Sequence, residues 1–356
     1  MSDGVPAMWM RGGTSKGVYV LGEDVPQDPL ERDALFLSIM GSPDQRQIDG
    51  IGGADPLTSK VAVVSESTRD DADIDYHFFQ VYVDQALVSD AQACGNIIAG
   101  VGPFAIERGL IAPTGDETEI AVHTINTGQV TTAVIQTPGG KLTYQGDQMI
   151  DGVPKPSAPV LLQFGDTAGS ICGARLPTGN AMDQVDGVDV TLIDDGMPCA
   201  LLRASDFGIT GTETPDALEA NQELRARLEA LRLKVGPMMN LGDVTEKSVP
   251  KMTLISPPQN GGLVSTRSFI PHRCHKTIGV MAAVTVASAC LQKGTIADGI
   301  AASPPADNPR TLQIEHPTGA LPVVEKTKPN GSTDWFATPR TARKLMDGIA
   351  YPREES

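Results

Sequence analysis

The chain has 356 residues, 40% of them hydrophobic and few aromatic, a length that suits about two domains with real cores. A formal net charge of −16 sets it against nucleic acid and anionic membrane surfaces and favours solubility. Its first residues lack the basic-then-apolar pattern of a signal peptide, and the longest apolar run, Ile278–Leu291 at about 14 residues, is too short to span a bilayer. The five cysteines (Cys94, Cys172, Cys199, Cys274, Cys290) are scattered without paired spacing, which fits free thiols in a reducing cytoplasm.

In chain order, the glycine turn Arg11–Ser15 leads into a strand at Lys16–Leu21, and Asp28-Pro29-Leu30-Glu31 opens a helix. Strands follow at Lys60–Ser65, His77–Val83, Glu119–Thr124 and Gln129–Thr137, with a helix at Asn96–Arg108 that has almost no charged face and is therefore buried. Thr137–Lys141 reads as a turn and Lys141–Tyr144 as a short strand; the Pro-rich stretch Asp151–Ala158 and Pro177–Asn180 mark a boundary. The series then starts again. Asp195-Gly196-Met197-Pro198 leads into Ala200–Leu202, and an amphipathic surface helix covers Pro215–Val235 with leucines at 218, 224, 228 and 231. Lys251 opens the strand to Ser256, as Lys60 opened its own, and a second all-apolar helix runs over Thr277–Gln292. The tail from Gly294 is loop-rich, with a strand at Leu312–His316. The same order of features in both halves predicts an α+β chain of two similar lobes, 1–180 and 181–356, the last strand being free to return to the first lobe. Each lobe is expected to wrap strands round a central buried helix, with a small-molecule cleft between the lobes toward which both helix N-termini point.

Several residues can carry chemistry. A lysine at the start of an apolar strand, Lys60, loses solvation, which favours the neutral amine and makes a general base; the alternative is a snorkelling surface lysine, and Lys251 poses the same choice. Cys94-Gly95-Asn96 opens the first buried helix, where the helix dipole lowers a thiol pKa; the alternative is a small buried apolar cysteine. The turn Arg11-Gly12-Gly13-Thr14-Ser15-Lys16-Gly17 fails the spacing of a phosphate loop and of the dinucleotide fingerprint, yet offers amides, hydroxyls and cations that suit a carboxylate. The stretch from Arg267 to Lys276 packs Arg267, His272, Arg273, His275 and Lys276 together with no acid among them. It is either a solvated basic loop or an anion site before a helix N-terminus. The His272, Cys274 and His275 spacing matches no standard zinc site, so no metal is expected.

These motifs resemble those of the methylaconitate isomerase family. The resemblance rests on Met10–Gly17, on Gly52-Gly53-Ala54-Asp55 running to Leu57-Thr58-Ser59-Lys60-Val61-Ala62, on Cys94-Gly95-Asn96, on Leu176-Pro177-Thr178-Gly179-Asn180 and on the Pro271–Lys276 segment. It covers essentially the whole chain. It implies the diaminopimelate epimerase-like fold, a cofactor-free site, and movement of a double bond or a proton in a small unsaturated di- or tricarboxylate. Lys60 and Cys94 stand where the family has its proposed acid/base pair. Within the family the chain is most similar to the 4-oxalomesaconate isomerases of bacterial aromatic-acid breakdown, and a homodimer is common in such folds.

The resulting expectation is a 1,3-allylic isomerase in which Lys60 removes a C–H proton and Cys94 is the second acid/base group or stabilises the dienolate. Gly95 and Asn96 would meet the oxyanion. Arg11, Gly13, Thr14 and Ser15 from one lobe and Arg267, His272, His275 and Thr277 from the other would hold the carboxylates. The rivals are a 2-methylaconitate or methylitaconate isomerase, an amino-acid epimerase, which the absence of a second cysteine near Lys276-Thr277 disfavours, and a non-catalytic carboxylate-binding protein.

Overall fold

Short β-branched runs punctuated by glycine and proline lead to strands, and the computed structural model, which describes residues 4–91, 93–165, 167–270 and 273–353, is mostly sheet. The chain divides into two compact units, Met1–Phe164 with Pro339–Ser356, and Gly165–Thr338. The division falls at 164/165 rather than near residue 180, and the C-terminal residues return to the first unit.

In the first unit the elements are β1 (Val5–Gly12), β2 (Ser15–Leu21), α1 (Pro29–Met40), β3 (Lys60–Glu66), β4 (Ile74–Val81), β5 (Val88–Ser89), α2 (Val101–Glu107), β6 (Glu117–Thr124), β7 (Gln129–Gln136) and β8 (Pro159–Phe164). The second unit contains β9 (Asp183–Val185), β10 (Val188–Asp194), β11 (Pro198–Arg203), α3 (Pro215–Ala220), α4 (Gln222–Met238), β12 (Lys251–Ser256), β13 (Val264–Ile270), β14 (Arg273–Cys274), α5 (Val280–Leu291), β15 (Arg310–His316) and β16 (Gly319–Thr327). The long β17 (Thr333–Ala350) starts there and ends in the first unit.

Strands β1, β2, β3, β4, β6, β7, β8 and β17 pair in that order, and β17 pairs back onto β1, closing an eight-stranded barrel. The period of two decides what goes inside. Met8, Met10, Tyr19, Ala62, Tyr76 and Phe78 point inward onto the buried segment Ile97–Ala105, while the alternate residues Val18, Val61 and Phe79 pack outside against Phe36, Ile39 and Met40 of α1. Helix α1 is closed at both ends: the Asp28 carboxylate accepts from the Leu30 and Glu31 amides, Pro29 occupies the first turn, and Gly41 ends it in the left-handed conformation at φ 77°.

The second unit repeats the pairing. β10/β11 is antiparallel like β1/β2, β11/β12 parallel like β2/β3, β12/β13 antiparallel like β3/β4, β13/β15 parallel like β4/β6, and β15/β16 antiparallel like β6/β7. The short strands β5 and β14 hang from the matching strands β4 and β13. Helix α5, buried along most of its length, occupies the place that α2 has in the first unit.

Three expected helices change form. The first buried one is a 3-10 turn, Ile97–Gly100, followed by the short α2, because Pro103 has no N–H to give Ala99 and the Ile97 carbonyl accepts instead from the Tyr19 hydroxyl at 2.5 Å. Cys94 therefore precedes a 3-10 turn, and the helix-dipole argument for its thiol falls away. The second buried helix starts at Val280, after Gly279, rather than at Thr277. The amphipathic helix breaks at Asn221, whose side chain leaves helical geometry to cap the Leu224 amide and so separates α3 from α4. The expected strand at Lys141–Tyr144 is irregular, tied to β7 by the Thr143 amide at 3.2 Å from Gln136 O.

Candidate active site at one end of the first barrel

Lys60 opens β3 on the inward-facing side, two residues before Ala62, and lies directly opposite Gln80 of β4. It is 6% exposed. Its Nζ donates to Gln80 Oε1 at 2.6 Å and stands 5.1 Å from the centre of the Phe78 ring. Gln80 has no freedom to turn its amide round, since Nε2 donates to the carbonyls of Ser59 (2.9 Å), Pro56 (3.1 Å) and Val81 (3.3 Å). Only the oxygen is left to face the lysine. Burial lowers the Lys60 pKa from the ordinary lysine range, against the opposing pull of Cys94 and Asp55. The loop leading to Lys60 is held by buried Gln47, whose Nε2 donates to Ser59 Oγ at 2.7 Å and whose Oε1 accepts from the Ala54 amide at 2.8 Å. Gly17 of β2 runs alongside, where a Cβ would come within 2.6 Å of Lys60 O.

Cys94 packs, partly buried, on the inner cluster of the barrel. Its carbonyl accepts from the Ile98 amide at 3.2 Å and the Tyr76 hydroxyl at 3.5 Å. Burial first, and the neighbouring Cys94 next, push the Tyr19 and Tyr76 phenols well above their ordinary range, so both stay protonated. The β1–β2 turn closes over the same segment. Gly13, at φ +50°, leaves room for Asn96, whose Oδ1 a Cβ there would meet at 2.2 Å. Asn96 Nδ2 donates to Thr14 Oγ1 at 3.1 Å and its Oδ1 accepts from the Thr14 amide at 3.4 Å. Gly95 is exposed beside Cys94, and Ser15 Oγ is buried with no partner.

Thus Lys60, Cys94, Gly95, Asn96, Gly13, Thr14 and Ser15 gather at one end of the barrel. Arg11 is spent differently from the expectation: Nη1 donates to Gly13 O (2.8 Å), Thr341 O (3.0 Å) and Thr341 Oγ1 (2.9 Å), and Nη2 to Ser157 Oγ (3.2 Å), which ties the turn to β17.

Arg267 and His275 of the second unit do not converge. Arg267 sits on the face of β13 that carries Phe269 toward α3 and α4, donating from Nε to Glu213 O and from Nη1 to Thr266 O, both at 2.8 Å. His275 follows the opposite face, pairing its amide with Ser268 O at 2.8 Å; its Nδ1 accepts from the Thr277 amide and hydroxyl at 2.9 Å. Burial and then Lys251 lower the His275 pKa. Lys251 is itself buried, its Nζ donating a hydrogen bond to Ser248 O at 2.6 Å. Adjacency in sequence suggested one cluster, but the alternation along β13 splits it across the sheet. His272 lies outside the described residues. Sequence reasoning missed Gln80; its signal was a single amide inside the apolar run His77–Val83.

Comparison with known proteins follows the same lines. A family model described as PrpF protein matches residues 3–353. The (4E)-oxalomesaconate Delta-isomerase of Novosphingobium sp. (strain KA1) is 61% identical over 98% of both chains. The 4-oxalomesaconate tautomerase of Pseudomonas putida is 54% identical over 97% of this chain and 95% of its own. A crystal structure of a methylitaconate-delta-isomerase superposes with a TM-score of 0.90 at 37% identity, covering 98% of this chain and 95% of the other. The fold is the α+β, diaminopimelate epimerase-like one that the motifs implied.

Proposed function

Because this chain belongs to the PrpF protein family, we propose that it is a cofactor-independent 1,3-allylic isomerase that shifts a C=C bond in 4-oxalomesaconate. The single observation that carries the reading is the buried Lys60 amine, aimed by Gln80 and neighboured by Cys94; the names of the relatives at 61% and 54% identity support the substrate. Desolvation biases Lys60 toward the free amine, which takes a proton from the carbon next to the double bond. The electron pair spreads over the conjugated carboxylate or keto group as a dienolate. A proton returned two carbons away, from Lys60 or from the Cys94 thiol, moves the double bond and leaves composition and oxidation level unchanged. Donors at Gly95 and Asn96 meet the developing oxyanion, where one positioned donor contributes roughly 3 kcal/mol. In the second unit Thr277, not a cysteine, precedes α5, which counts against α-carbon racemisation by two thiols. The five cysteines are all free thiols, supporting a reducing, cytoplasmic setting.

A second reading, methylitaconate as substrate, is favoured by the 0.90 superposition. Proton NMR in D₂O decides between them, with 4-oxalomesaconate, methylitaconate and 2-methylaconitate as parallel samples. A shifted double bond carrying deuterium in the first sample supports the proposal; turnover of only a methylated acid replaces it with the second reading. Lys60→Met retaining full turnover would remove the base assignment.

A further inference from the structure

Arg340 is a buried cation that no charge among the described residues balances. It lies on β17 in the part of that strand belonging to the first unit and is 8% exposed. Its Nη1 donates to Pro339 O at 3.1 Å, its Nε has no acceptor, and among the described residues no carboxylate pairs with it. Burial alone lowers its pKa, to about 10. The contrast with Arg232, fully buried in the second unit, is sharp. That guanidinium forms a two-pronged pair with Glu229 and donates to the carbonyls of Val244, Lys247 and Val249 at 2.8–3.1 Å. A buried guanidinium is normally held by an anion or a full set of acceptors, since an uncompensated one is destabilising. In a chain of net charge −16, a carboxylate partner was available to selection almost everywhere.

The strand register places Arg340 with respect to the reacting end of the barrel. Gly12 pairs with both Ser15 and Ala342, so these three share the inward face, and Ala342 belongs to the inner cluster. Arg340 precedes Ala342 by two residues on the same strand and so falls on the same face. Ser15 precedes Gly17 by two, and Gly17 lies against Lys60. Ser15 Oγ is another buried polar atom without a partner, on the same face, and Thr338 Oγ1, two residues before Arg340 on β17, is a third. An open guanidinium and an open hydroxyl on one face, at the lysine's end of the barrel, call for an acceptor-only group. We propose that Arg340, aided by Ser15, anchors a carboxylate of the substrate, in the place that the motifs had assigned to Arg11. This rests on the isomerase reading above.

The test uses tricarballylate, a saturated tricarboxylate that cannot isomerise, with calorimetric binding and thermal unfolding of the wild type, Arg340→Gln and Arg340→Lys, beside kcat and KM for 4-oxalomesaconate. Arg340→Gln is expected to weaken tricarballylate binding and raise KM by about 10- to 100-fold, the size of a lost charge-assisted pair, with Arg340→Lys recovering part. Without ligand, Arg340→Gln should unfold at a temperature equal to or above the wild type, since a group waiting for an anion costs stability while the site is empty. Unchanged binding in both variants, or a lower unfolding temperature for both without ligand, overturns the proposal and makes Arg340 a structural residue. Arg340-dependent binding without turnover of oxalomesaconate by the wild type supports the anchor while overturning the substrate reading.

Discussion

Changing Gln80 to Glu and to Met is expected to move the titration of Lys60 in opposite directions. A carboxylate in place of the Oε1 atom, 2.6 Å from Nζ, holds the ammonium. At roughly 4 Å between charge centres and an effective dielectric near 20, the attraction is up to about 4 kcal/mol, or about three pK units. The desolvation of that carboxylate and its poor fit to the Ser59 and Pro56 carbonyls reduce this, so a rise of at least about one unit is expected. Methionine removes the acceptor, and the loss of a hydrogen bond to a charged donor, about 1.5–3 kcal/mol, lowers the pKa by a further one to two units. The base works deprotonated, so activity falls as pH drops through the Lys60 pKa. In the wild type burial already sets that acid limb below the ordinary lysine range. The limb of kcat/KM should therefore shift to higher pH in Gln80→Glu and to lower pH in Gln80→Met, with kcat reduced in both because the amine is less well aimed. The assay is the pH profile of kcat/KM for 4-oxalomesaconate, with circular dichroism as the check on folding. Limbs that coincide with the wild type in two folded variants would refute Lys60 as the titrating base.

Other outcomes follow from the same contacts. Cys94→Ala, if Cys94 returns the proton, should keep Lys60-driven deuterium exchange into substrate while slowing product formation; NMR in D₂O showing both lost in equal proportion would instead make Cys94 a stabiliser of the shared dienolate. In Gly17→Ala the new Cβ meets Lys60 O at 2.6 Å, so kcat should fall more than KM changes, together with the unfolding temperature. Arg232→Met leaves the Val244, Lys247 and Val249 carbonyls without their donor and should cost about 3–5 kcal/mol in urea unfolding.

The internal doubling was readable because turn, lysine-led strand and apolar helix recur in order, and the paired strands repeat the same parallel and antiparallel sequence. Lys60 was readable as a charge at the head of an apolar run, and Cys94-Gly95-Asn96 as a polar break before one. Gln80 was not, because its meeting with Lys60 depends on the register of β3 against β4 across an intervening loop. The Arg267 and His275 grouping failed for the converse reason: proximity in sequence says nothing about which face of β13 a side chain takes. Arg340 was hidden by its strand, where the residues around it, Thr338 to Ala342, show no apolar period. The break in the first buried helix turns on Pro103 and on a hydroxyl from Tyr19, far away in the chain.

Strand β17 pairs Val5 with Ala350 and Gly12 with Ala342, so the first unit cannot be finished during synthesis until the whole of the second has been made. Until then β1 and β8 are open edges, and the nascent barrel depends on contacts of very long sequence separation, which form slowly. Chaperone demand during synthesis should thus be concentrated in the N-terminal half although the missing piece is C-terminal. A stop codon just before Pro339 should yield aggregates rather than an isolated second unit beside a folded first one.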